Sequence, residues 1–272
     1  MEILDISEAG ARVGQPSEPF LSIVIPAYNE EARLPQTLER IAAYAATKPF
    51  PLQVLVVDDG SRDGTAAVAE HAAQRWPVIR VLPNPGHRGK GYSVRNGMLH
   101  ASGQVALFTD ADLSAPIEEA DRLLQALDSG YDVAIGSRWL RPELIAVHQN
   151  YLREKGGRVF NLLVRLLTRL PFRDTQCGFK AFRREAAREI FARQQIDDFG
   201  FDVEVLYLAR KFRYRVAEVP VPWSSVEGSK ARLLDYARTF GELLQVRWMD
   251  LRGRYDVPSQ TAASPPRAGR VA

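Results

Sequence analysis

The segment Leu52-Gln-Val-Leu-Val-Val-Asp-Asp-Gly-Ser61 is an apolar, β-branched run that ends in two aspartates and a glycine. A run of this kind, stopped by turn residues, is typical of a strand that is buried on both faces of a sheet. The segment Leu21-Ser-Ile-Val-Ile25 has the same character and stops at Pro26. A helical pattern lies between the two strands, with apolar residues three or four positions apart at Leu34, Leu38, Ile41 and Ala45.

The alternation of strands and helices continues along the chain. The sequence predicts further strands at 78–82, 104–109 and 132–135 and helices at 65–75, 91–101 and 117–127, with Thr65 as the cap of the first helix. In the second half, strands are predicted at 179–183 and 214–221 and helices at 156–170, 201–212 and 231–252. We therefore predict an α/β fold with a mostly parallel central sheet and helices on both faces.

The composition sets limits on the domain organisation. A chain of 272 residues with 46% apolar and 25% charged residues can bury one large core or two small ones. We predict a flexible N-terminal segment over residues 1–19 and a folded region over 20–255, whose character changes near residue 136. Residues 256–272 are rich in Ser, Thr, Ala, Pro and Arg, a composition that predicts a disordered tail.

Cysteine usage and hydropathy argue against several protein classes. The chain has one cysteine, Cys177, which excludes an intrachain disulfide and a cysteine-rich zinc site. No run approaches the roughly 20 apolar residues of a membrane-spanning helix. Residues 1–17 are acidic and polar and lack the pattern of a secretory signal. We expect a cytoplasmic protein that can lie on a membrane, at the inner face of the cell membrane, without crossing it.

Basic residues outnumber acidic ones between residues 138 and 193, although the net charge of the chain is only +3. A local basic field favours a phosphate-bearing partner such as a nucleotide, an anionic lipid or a nucleic acid. A solvated surface that keeps the protein soluble explains the same pattern equally well. The sequence contains no recognisable nucleic-acid-binding module, so we expect no nucleic-acid partner.

Carboxylates follow three of the predicted strands where each strand ends. These segments are Pro26-Ala-Tyr-Asn-Glu30, Asp58-Asp59-Gly60-Ser61 and Asp110-Ala-Asp112. Ligands bind at the carboxyl ends of parallel strands, and like charges gathered there repel unless a cation lies among them. Asp110 and Asp112 can share one hard cation with substrate phosphates. The alternative for this tripeptide is an exposed turn in which Asp112 caps a helix that begins near Pro116.

A glycine-rich segment, Asn84-Pro-Gly-His-Arg-Gly-Lys-Gly91, precedes the predicted helix at 91–101. Its three glycines allow the backbone to approach a ligand closely. Arg88 and Lys90 place positive charge at the start of a helix, where anions bind favourably. The segment therefore predicts an anion-binding loop, with a flexible loop and solvated charges as the alternative.

These motifs, taken in order, resemble the inverting GT-A glycosyltransferases of family 2. The first half contributes the three strand ends, Gly89-Lys-Gly91 and Asn96-Gly-Met98. The second half is similar to the dolichyl-phosphate β-glucosyltransferase branch in Gly136-Ser-Arg138, Phe160-Asn161, Asp174–Lys180, Val219–Trp223 and Glu227–Lys230. The resemblance covers residues 21–252, and the motifs occur in the order found in the family.

The resemblance implies roles for individual residues around the donor. Pro26, Tyr28, Glu30 and Asp58 would line the nucleotide pocket, with Asp58 as the partner of the uracil ring. The remaining residues expected to bind the nucleotide-sugar are Lys90, Asp110, Ala111, Arg138, Gln176 and Lys230.

The resemblance also implies which residues bind the metal ion and which residue acts as general base. Asp110 and Asp112 would flank the diphosphate and hold Mg²⁺ or Mn²⁺, with Asp112 as the more direct ligand. Asp174 matches the carboxylate expected to act as general base.

The implied activity is a metal-dependent, inverting transfer of glucose from UDP-glucose to a polyprenyl (dolichyl-type) phosphate. A nucleotide half over residues 20–136 and an acceptor half over 137–255 would share this work. GDP-mannose as donor, a soluble acceptor and a catalytically silent nucleotide-binding scaffold remain as alternatives. The presence of both Asp112 and Asp174 disfavours the scaffold.

The predicted helix at 156–170 bears on the membrane. Its apolar residues cover a wide arc that Arg158, Arg165 and Arg169 interrupt. This pattern fits a helix that lies in the interface of a membrane and meets lipid phosphates. It fits a helix of the protein core equally well. We expect peripheral contact with a membrane.

Overall fold

The computed structural model describes residues 18–147, 164, 167–224 and 233–256. The strands are β1 (Leu21–Ala27), β2 (Leu52–Asp58), β3 (Ile79–Pro83), β4 (Val105–Thr109), β5 (Val133–Ser137), β6 (Ile145–Val147), β7 (Phe179–Arg183), β8 (Val216–Pro220) and β9 (Trp223–Ser224). The main sheet has the order β3-β2-β1-β4-β7-β5-β8, and β6 pairs separately with β9. All pairings in the main sheet are parallel except those of β7. The predicted α/β fold with a mostly parallel sheet is confirmed.

Helices cover both faces of this sheet. They are α1 (Leu34–Ala46), α2 (Thr65–Arg75), α3 (Lys90–His100), α4 (Ala120–Asp128), α5 (Arg184–Arg193), α6 (Phe201–Lys211) and α7 (Leu233–Leu251), with short 3₁₀ turns at Ile117–Glu119 and Pro142–Leu144. One apolar core joins α1, α2 and α4 to one face of the sheet. A second core joins α3, α5, α6 and α7 to the other face. The central strands are therefore buried on both sides, which explains their continuous apolar runs.

Strand β7 lies between β4 and β5 and runs antiparallel to both. Its first residue, Phe179, pairs with Thr109, the last residue of β4. Because the direction of β7 is reversed, its amino end lies at the edge of the sheet where its neighbours have their carboxyl ends. The segment that precedes β7 is thereby brought to the same edge as Asp110. The sequence predicted the strand but not its direction.

The structure differs from the predicted elements at several points. Thr65 does not cap α2 but is its first residue, because Asp63 accepts hydrogen bonds from both the backbone N–H and the hydroxyl of Thr65. Helix α5 was not predicted, since it begins directly after β7 with no turn signal between them. The predicted helix at 117–127 is a 3₁₀ turn followed by α4. Most of the predicted helix at 156–170 lies outside the described residues.

Helix α3 packs closely on the sheet because residue 97 has no side chain. A Cβ atom at Gly97 would lie 2.3 Å from Cγ1 of Val24 on β1 and 2.9 Å from Cγ2 of Val57 on β2. Neither valine can move without disturbing the core beneath α3. This close approach holds Lys90, the first residue of α3, over the ends of the strands.

We predict that Gly97→Ala lowers the free energy of unfolding by about 1–3 kcal/mol, although alanine favours a helix, because the added methyl group overpacks the contact with β1 and β2. Gly241→Ala is the matched control in α7, where a Cβ would meet no atom within 4 Å. It should raise the free energy of unfolding by up to about 1 kcal/mol. Urea denaturation measures both values, and equal shifts in the two variants would contradict the proposed close packing.

Candidate active site

One end of the site lies where β1 and β2 end. The ring of Tyr28 stacks on the imidazole of His87, with centroids 4.0 Å apart and planes at 21°. Asp58, the last residue of β2, is almost fully buried, and its Oδ1 accepts a hydrogen bond of 3.3 Å from the backbone N–H of Ser61. Tyr28 and Asp58 were both predicted for the nucleotide pocket, and both lie at this end of the site.

Asp59 organises the loop after β3, a role that the sequence did not indicate. Its carboxylate accepts hydrogen bonds of 2.9 Å from the backbone N–H groups of Arg88 and Gly89 and one of 2.8 Å from Nδ2 of Asn84. Nδ1 of His87 lies 2.7 Å from the same carboxylate. Successive side chains of a strand point in opposite directions, so adjacent aspartates serve different partners. The sequence alone did not show that Asp59, rather than Asp58, holds the loop after β3.

Three other predicted residues of the donor side have structural contacts. Pro26 is part of β1 itself. The Glu30 carboxylate forms an ion pair of 2.9 Å with Arg33. Ala111 is buried, and its carbonyl oxygen accepts a hydrogen bond of 2.5 Å from the hydroxyl of Thr37 on α1. The last contact fixes the backbone between Asp110 and Asp112.

The centre of the site is an ion pair between Lys90 and Asp110. Nζ of Lys90 lies 2.6 Å from Oδ1 of Asp110, and both side chains are partly exposed. Burial alone would lower the pKa of Lys90, but attraction to Asp110 and Asp202 outweighs it, so the pKa lies above that of an ordinary lysine. The ammonium group therefore stays charged, as an anion-binding role requires.

Asp112 is close to this pair, but among the described residues it forms no ion pair like the one between Lys90 and Asp110. Burial and the negative charge of Asp110 raise the pKa of the Asp112 carboxyl. Its Oδ1 accepts a hydrogen bond of 3.0 Å from the backbone N–H of Ser114, which forms a local turn. The predicted alternative, in which Asp112 caps a helix near Pro116, is wrong, because Pro116 is the residue that precedes the 3₁₀ turn and no side chain caps that turn.

The donor set fits a divalent cation that is bound jointly with a substrate. Asp110 and Asp112 offer carboxylate oxygens, the ligands that Mg²⁺ and Mn²⁺ prefer. Within the part of the chain that the structure describes, no group of three or more histidine, cysteine or acidic side chains is arranged to hold a metal ion. The described residues would therefore leave several coordination positions to phosphate oxygens and water.

A second, buried ion pair interacts electrostatically with the first. Lys180 on β7 and Asp202 on α6 are in contact and almost completely buried. Nζ of Lys180 also donates a hydrogen bond of 2.6 Å to the carbonyl oxygen of Cys177. Asp202 contributes to the electrostatic environment of Lys90 as well. Neither Lys180 nor Asp202 was predicted as a site residue, since Asp202 sits in an apolar helix with no motif around it.

The reversal of β7 brings a glycine against Asp110. A Cβ atom at Gly178 would lie only 2.2 Å from Oδ2 of Asp110. Any side chain at this position would therefore displace the carboxylate. Gly178 follows Asp174, Gln176 and Cys177 in the chain, so this contact joins the acidic centre to the remaining part of the site.

The other end of the site is a buried ion pair between Arg138 and Asp174. Asp174 has no exposed surface, and its two oxygens accept hydrogen bonds of 2.7 Å from Nε and 2.8 Å from Nη2 of Arg138. The backbone N–H groups of Arg138 and Gln176 also donate to it, at 3.0 Å and 3.2 Å. Burial raises the pKa of Asp174, but Arg138 and these hydrogen bonds more than compensate, and the net pKa lies below the usual value.

Two tryptophans stand next to this pair. The guanidinium carbon of Arg138 lies 5.7 Å from the ring centroid of Trp139 and 5.5 Å from that of Trp223. Nearby in the chain, Oγ of Ser137 and Nε2 of Gln176 are buried and have no hydrogen-bond partner among the described residues. A buried polar group without a partner costs free energy, so both positions favour a ligand with hydrogen-bonding atoms.

Hydrogen bonds through Ser114 link the two ends of the site. Asp112 accepts a hydrogen bond from Ser114, and the carbonyl oxygen of Ser114 accepts one of 2.9 Å from the backbone N–H of Ser224. Ser224 follows Trp223, whose ring lies against Arg138. The structure thus places the predicted residues at the carboxyl ends of β1, β2, β4 and β5, at the start of α3 and in the segment before β7. Lys230, also predicted, lies outside the described residues.

The helices of the molecule bear on whether the chain can cross a membrane. Among the described residues, no helix combines the length and the apolar character that a membrane span requires.

Comparison with known proteins gives a consistent result. The family model described as glycosyl transferase family 2 matches residues 22–191. Dolichyl-phosphate beta-glucosyltransferase of Drosophila melanogaster is 41% identical over 229 residues, which cover 77% of this chain and 68% of the fly protein. The human protein of that name is 38% identical over 224 residues, which cover 77% of this chain and 69% of the human one.

Solved structures show the same fold. Glucosyl-3-phosphoglycerate synthase from Mycobacterium tuberculosis, in complex with UDP, matches with a TM-score of 0.61 at 18% identity, over 96% of this chain and 86% of that chain. A complex of the same enzyme with Mn²⁺, UDP-glucose and phosphoglyceric acid matches with a TM-score of 0.60 over the same shares. The predicted GT-A fold and the resemblance to the dolichyl-phosphate β-glucosyltransferase branch are both confirmed. The chain belongs to glycosyl transferase family 2.

Proposed function

We propose that this protein transfers glucose from UDP-glucose to a polyprenyl phosphate of the dolichyl type, with inversion at the anomeric carbon. The observation that carries the proposal is that the Lys90–Asp110–Asp112 centre and the Arg138–Asp174 pair both lie at the carboxyl ends of the parallel strands. A donor diphosphate and an acceptor phosphate both need positive charge, and the site offers one cation for each. The similarity to dolichyl-phosphate β-glucosyltransferases supports glucose and a lipid phosphate as the substrates.

The nucleotide would bind at the ends of β1 and β2. Tyr28 offers an aromatic face for a base, and Asp58 offers a carboxylate that can accept a hydrogen bond from a uracil N–H. Asp59 holds the backbone of the 84–89 loop in place, so that Lys90 reaches the diphosphate. The related fold of glucosyl-3-phosphoglycerate synthase binds UDP-glucose, which supports uridine as the nucleoside.

The cofactor would be Mg²⁺ or Mn²⁺, held by Asp112 and assisted by Asp110. Asp110 already has Lys90 as a partner, whereas burial and the charge of Asp110 disfavour the ionised form of Asp112, and a bound cation would offset both effects. A bound divalent cation neutralises charge on a diphosphate leaving group. The structural relatives with bound Mn²⁺ support this assignment.

In the proposed reaction, an oxygen of the acceptor phosphate forms a bond to the anomeric carbon of glucose. The bond from that carbon to the diphosphate breaks, and its electron pair leaves with UDP. Arg138 would hold the acceptor phosphate, and Lys90 would stabilise the negative charge that develops on the leaving diphosphate. A phosphate monoester is already largely ionised near neutral pH, so the reaction needs little help from a base.

Asp174 would act mainly by positioning Arg138. A carboxylate with a lowered pKa, buried and bound through both oxygens, is a weak base. The same geometry fixes the guanidinium, which supports a role in orienting the charge that meets the phosphate. The predicted role of Asp174 as general base would require the pair to open.

We further propose that the protein contacts a membrane peripherally from the cytoplasmic side, since a polyprenyl phosphate resides in a bilayer. The predicted helix at 156–170, whose pattern fits a membrane interface and a protein core equally well, and Lys230 would belong to the acceptor half, 137–255. Both remain proposals from the sequence. The two ends that the sequence predicts to be flexible, 1–19 and 256–272, would not take part in catalysis.

We predict turnover with UDP-glucose, Mg²⁺ or Mn²⁺ and a polyprenyl phosphate, measured as release of UDP and formation of a glucosylated lipid. GDP-mannose should give no product under the same conditions. Turnover with GDP-mannose but not with UDP-glucose would contradict the proposed donor and identify GDP-mannose as the donor. Donor binding without lipid-dependent turnover would favour a soluble acceptor or a silent scaffold.

We predict that Asp112→Asn lowers kcat by at least about 100-fold, because the amide cannot supply the charge that holds the cation. The variant should unfold no more easily than the wild type, since the Asp112 carboxylate is repelled by Asp110 in the free protein. Asp128→Asn, at an exposed position on α4, serves as the control and should keep full activity. Normal activity in Asp112→Asn would show that Asp112 is not a ligand of the catalytic metal ion.

We predict that Asp174→Asn and Arg138→Gln each lower kcat/KM for the acceptor by about 100-fold and that the double variant is no worse, because the two residues act as one unit. Binding of UDP should be unchanged in a calorimetric titration. Losses that multiply in the double variant would indicate that Asp174 acts independently, as a general base does.

The same variants have a stability readout. Breaking the buried pair by Asp174→Asn should cost about 3 kcal/mol near neutral pH. The pair's contribution is present above the ordinary aspartate pKa of about 3.9 and is lost as pH falls through the lowered pKa of the folded state. The difference between wild type and Asp174→Asn should therefore shrink in acid, which thermal unfolding at several pH values can measure.

A further inference from the structure

Two tryptophan rings share a single guanidinium group at the acceptor end of the site. Trp139 directly follows Arg138, and Trp223 belongs to β9. The guanidinium carbon lies over both rings, within the 6 Å range in which a cation and an aromatic face attract each other. Both tryptophans are only partly buried. Each of the two residues therefore keeps some surface that solvent can reach.

One edge of the guanidinium group is bound by Asp174. Asp174 binds Nε and Nη2, so Nη1 is left with no hydrogen-bond partner among the described residues. A phosphate that binds Nη1 would sit between an ionic edge and two indole rings. A group bonded to that phosphate would then lie near apolar aromatic surface, since the guanidinium carbon is within 6 Å of both ring centroids.

We propose that Trp139 and Trp223 are the residues that select a prenyl phosphate as the acceptor, by contacting the first isoprene unit next to the phosphate. The inference rests on the proposed function. It states that these two side chains determine whether a lipid or a polar acceptor binds. An isoprene unit is apolar and buries well against indole. A small polar phosphate ester would leave its hydroxyl or carboxylate groups against the rings without hydrogen bonds.

A simpler role for the tryptophans makes a different prediction. If the rings only hold Arg138 in place, their loss should weaken every phosphate ester to the same degree. If they contact the isoprene unit, their loss should weaken a prenyl phosphate and spare a phosphate without a chain. The ratio of two affinities separates these cases, because a loosened Arg138 cancels from it.

The experiment compares isopentenyl phosphate with methyl phosphate, which carry the same charge and differ in the isoprene unit. Dissociation constants are measured by calorimetry on the full chain with Mg²⁺ and UDP present. For the wild type, we expect isopentenyl phosphate to bind at least about 10-fold more tightly, the effect of a few buried methylene groups. Trp139→Ala and Trp223→Ala should each reduce this preference severalfold, and the double variant should abolish it.

Trp248→Ala is the matched control. Trp248 lies on α7, is 46% exposed and has Arg252 and Arg254 over its ring, so it shares the chemistry of the pair but lies outside the site. This variant should keep the full preference. Trp139→Phe and Trp223→Phe retain an aromatic face and should show intermediate ratios, which also provides a test if an alanine variant does not fold.

The outcomes are distinct. A wild type without preference, or variants that weaken both phosphates equally, would overturn the inference. A tryptophan-dependent preference in a protein that transfers no glucose to any prenyl phosphate would support the acceptor site while refuting the proposed reaction. Glucose transfer with an unchanged preference in the variants would support the reaction and refute the role of the two tryptophans.

Discussion

The ion pair between Lys90 and Asp110 is the interaction around which the site is built. A parallel sheet gathers the ends of its strands at one edge, and here that edge carries several carboxylates whose charges repel one another. Lys90 relieves part of this repulsion from the start of α3. It can do so because Gly97 lets α3 lie directly on β1 and β2, and the negative charge of Asp202 also favours the charged form of Lys90.

At the acceptor end of the site, the negative charge of Asp174 is balanced by Arg138. Arg138 and Asp174 form an ion pair with two side-chain hydrogen bonds, in which the carboxylate is fully buried and the guanidinium is partly exposed. A buried pair of this kind contributes little net stability, since desolvation offsets the attraction between its charges. Its effect is on orientation, because Asp174 holds the guanidinium in place through Nε and Nη2. The antiparallel strand β7 makes this possible by bringing Asp174 and Gly178 to the edge where β4 ends.

The sequence located most of the site for a physical reason. Buried strands appear as continuous apolar runs, and the residues that follow them must lie at one edge of a parallel sheet. The order of the strands and their ends is therefore enough to place Tyr28, Asp58, Asp110 and Asp112 together. It is not enough for Asp59, Lys180 and Asp202, because their roles depend on side-chain direction and on partners more than twenty residues away.

The amino-acid sequence by itself determined the fold class, the strand ends that carry the carboxylates and the family, since these follow from local hydrophobic pattern and ordered motifs. Only the tertiary structure decided that β7 runs antiparallel, that Asp59 holds the glycine-rich loop and that Asp174 is bound by Arg138 through both oxygens. It also brought Trp139 and Trp223, which lie far apart in the chain, against one guanidinium. Pairings of this kind depend on how distant segments pack, and no local pattern in the sequence records them.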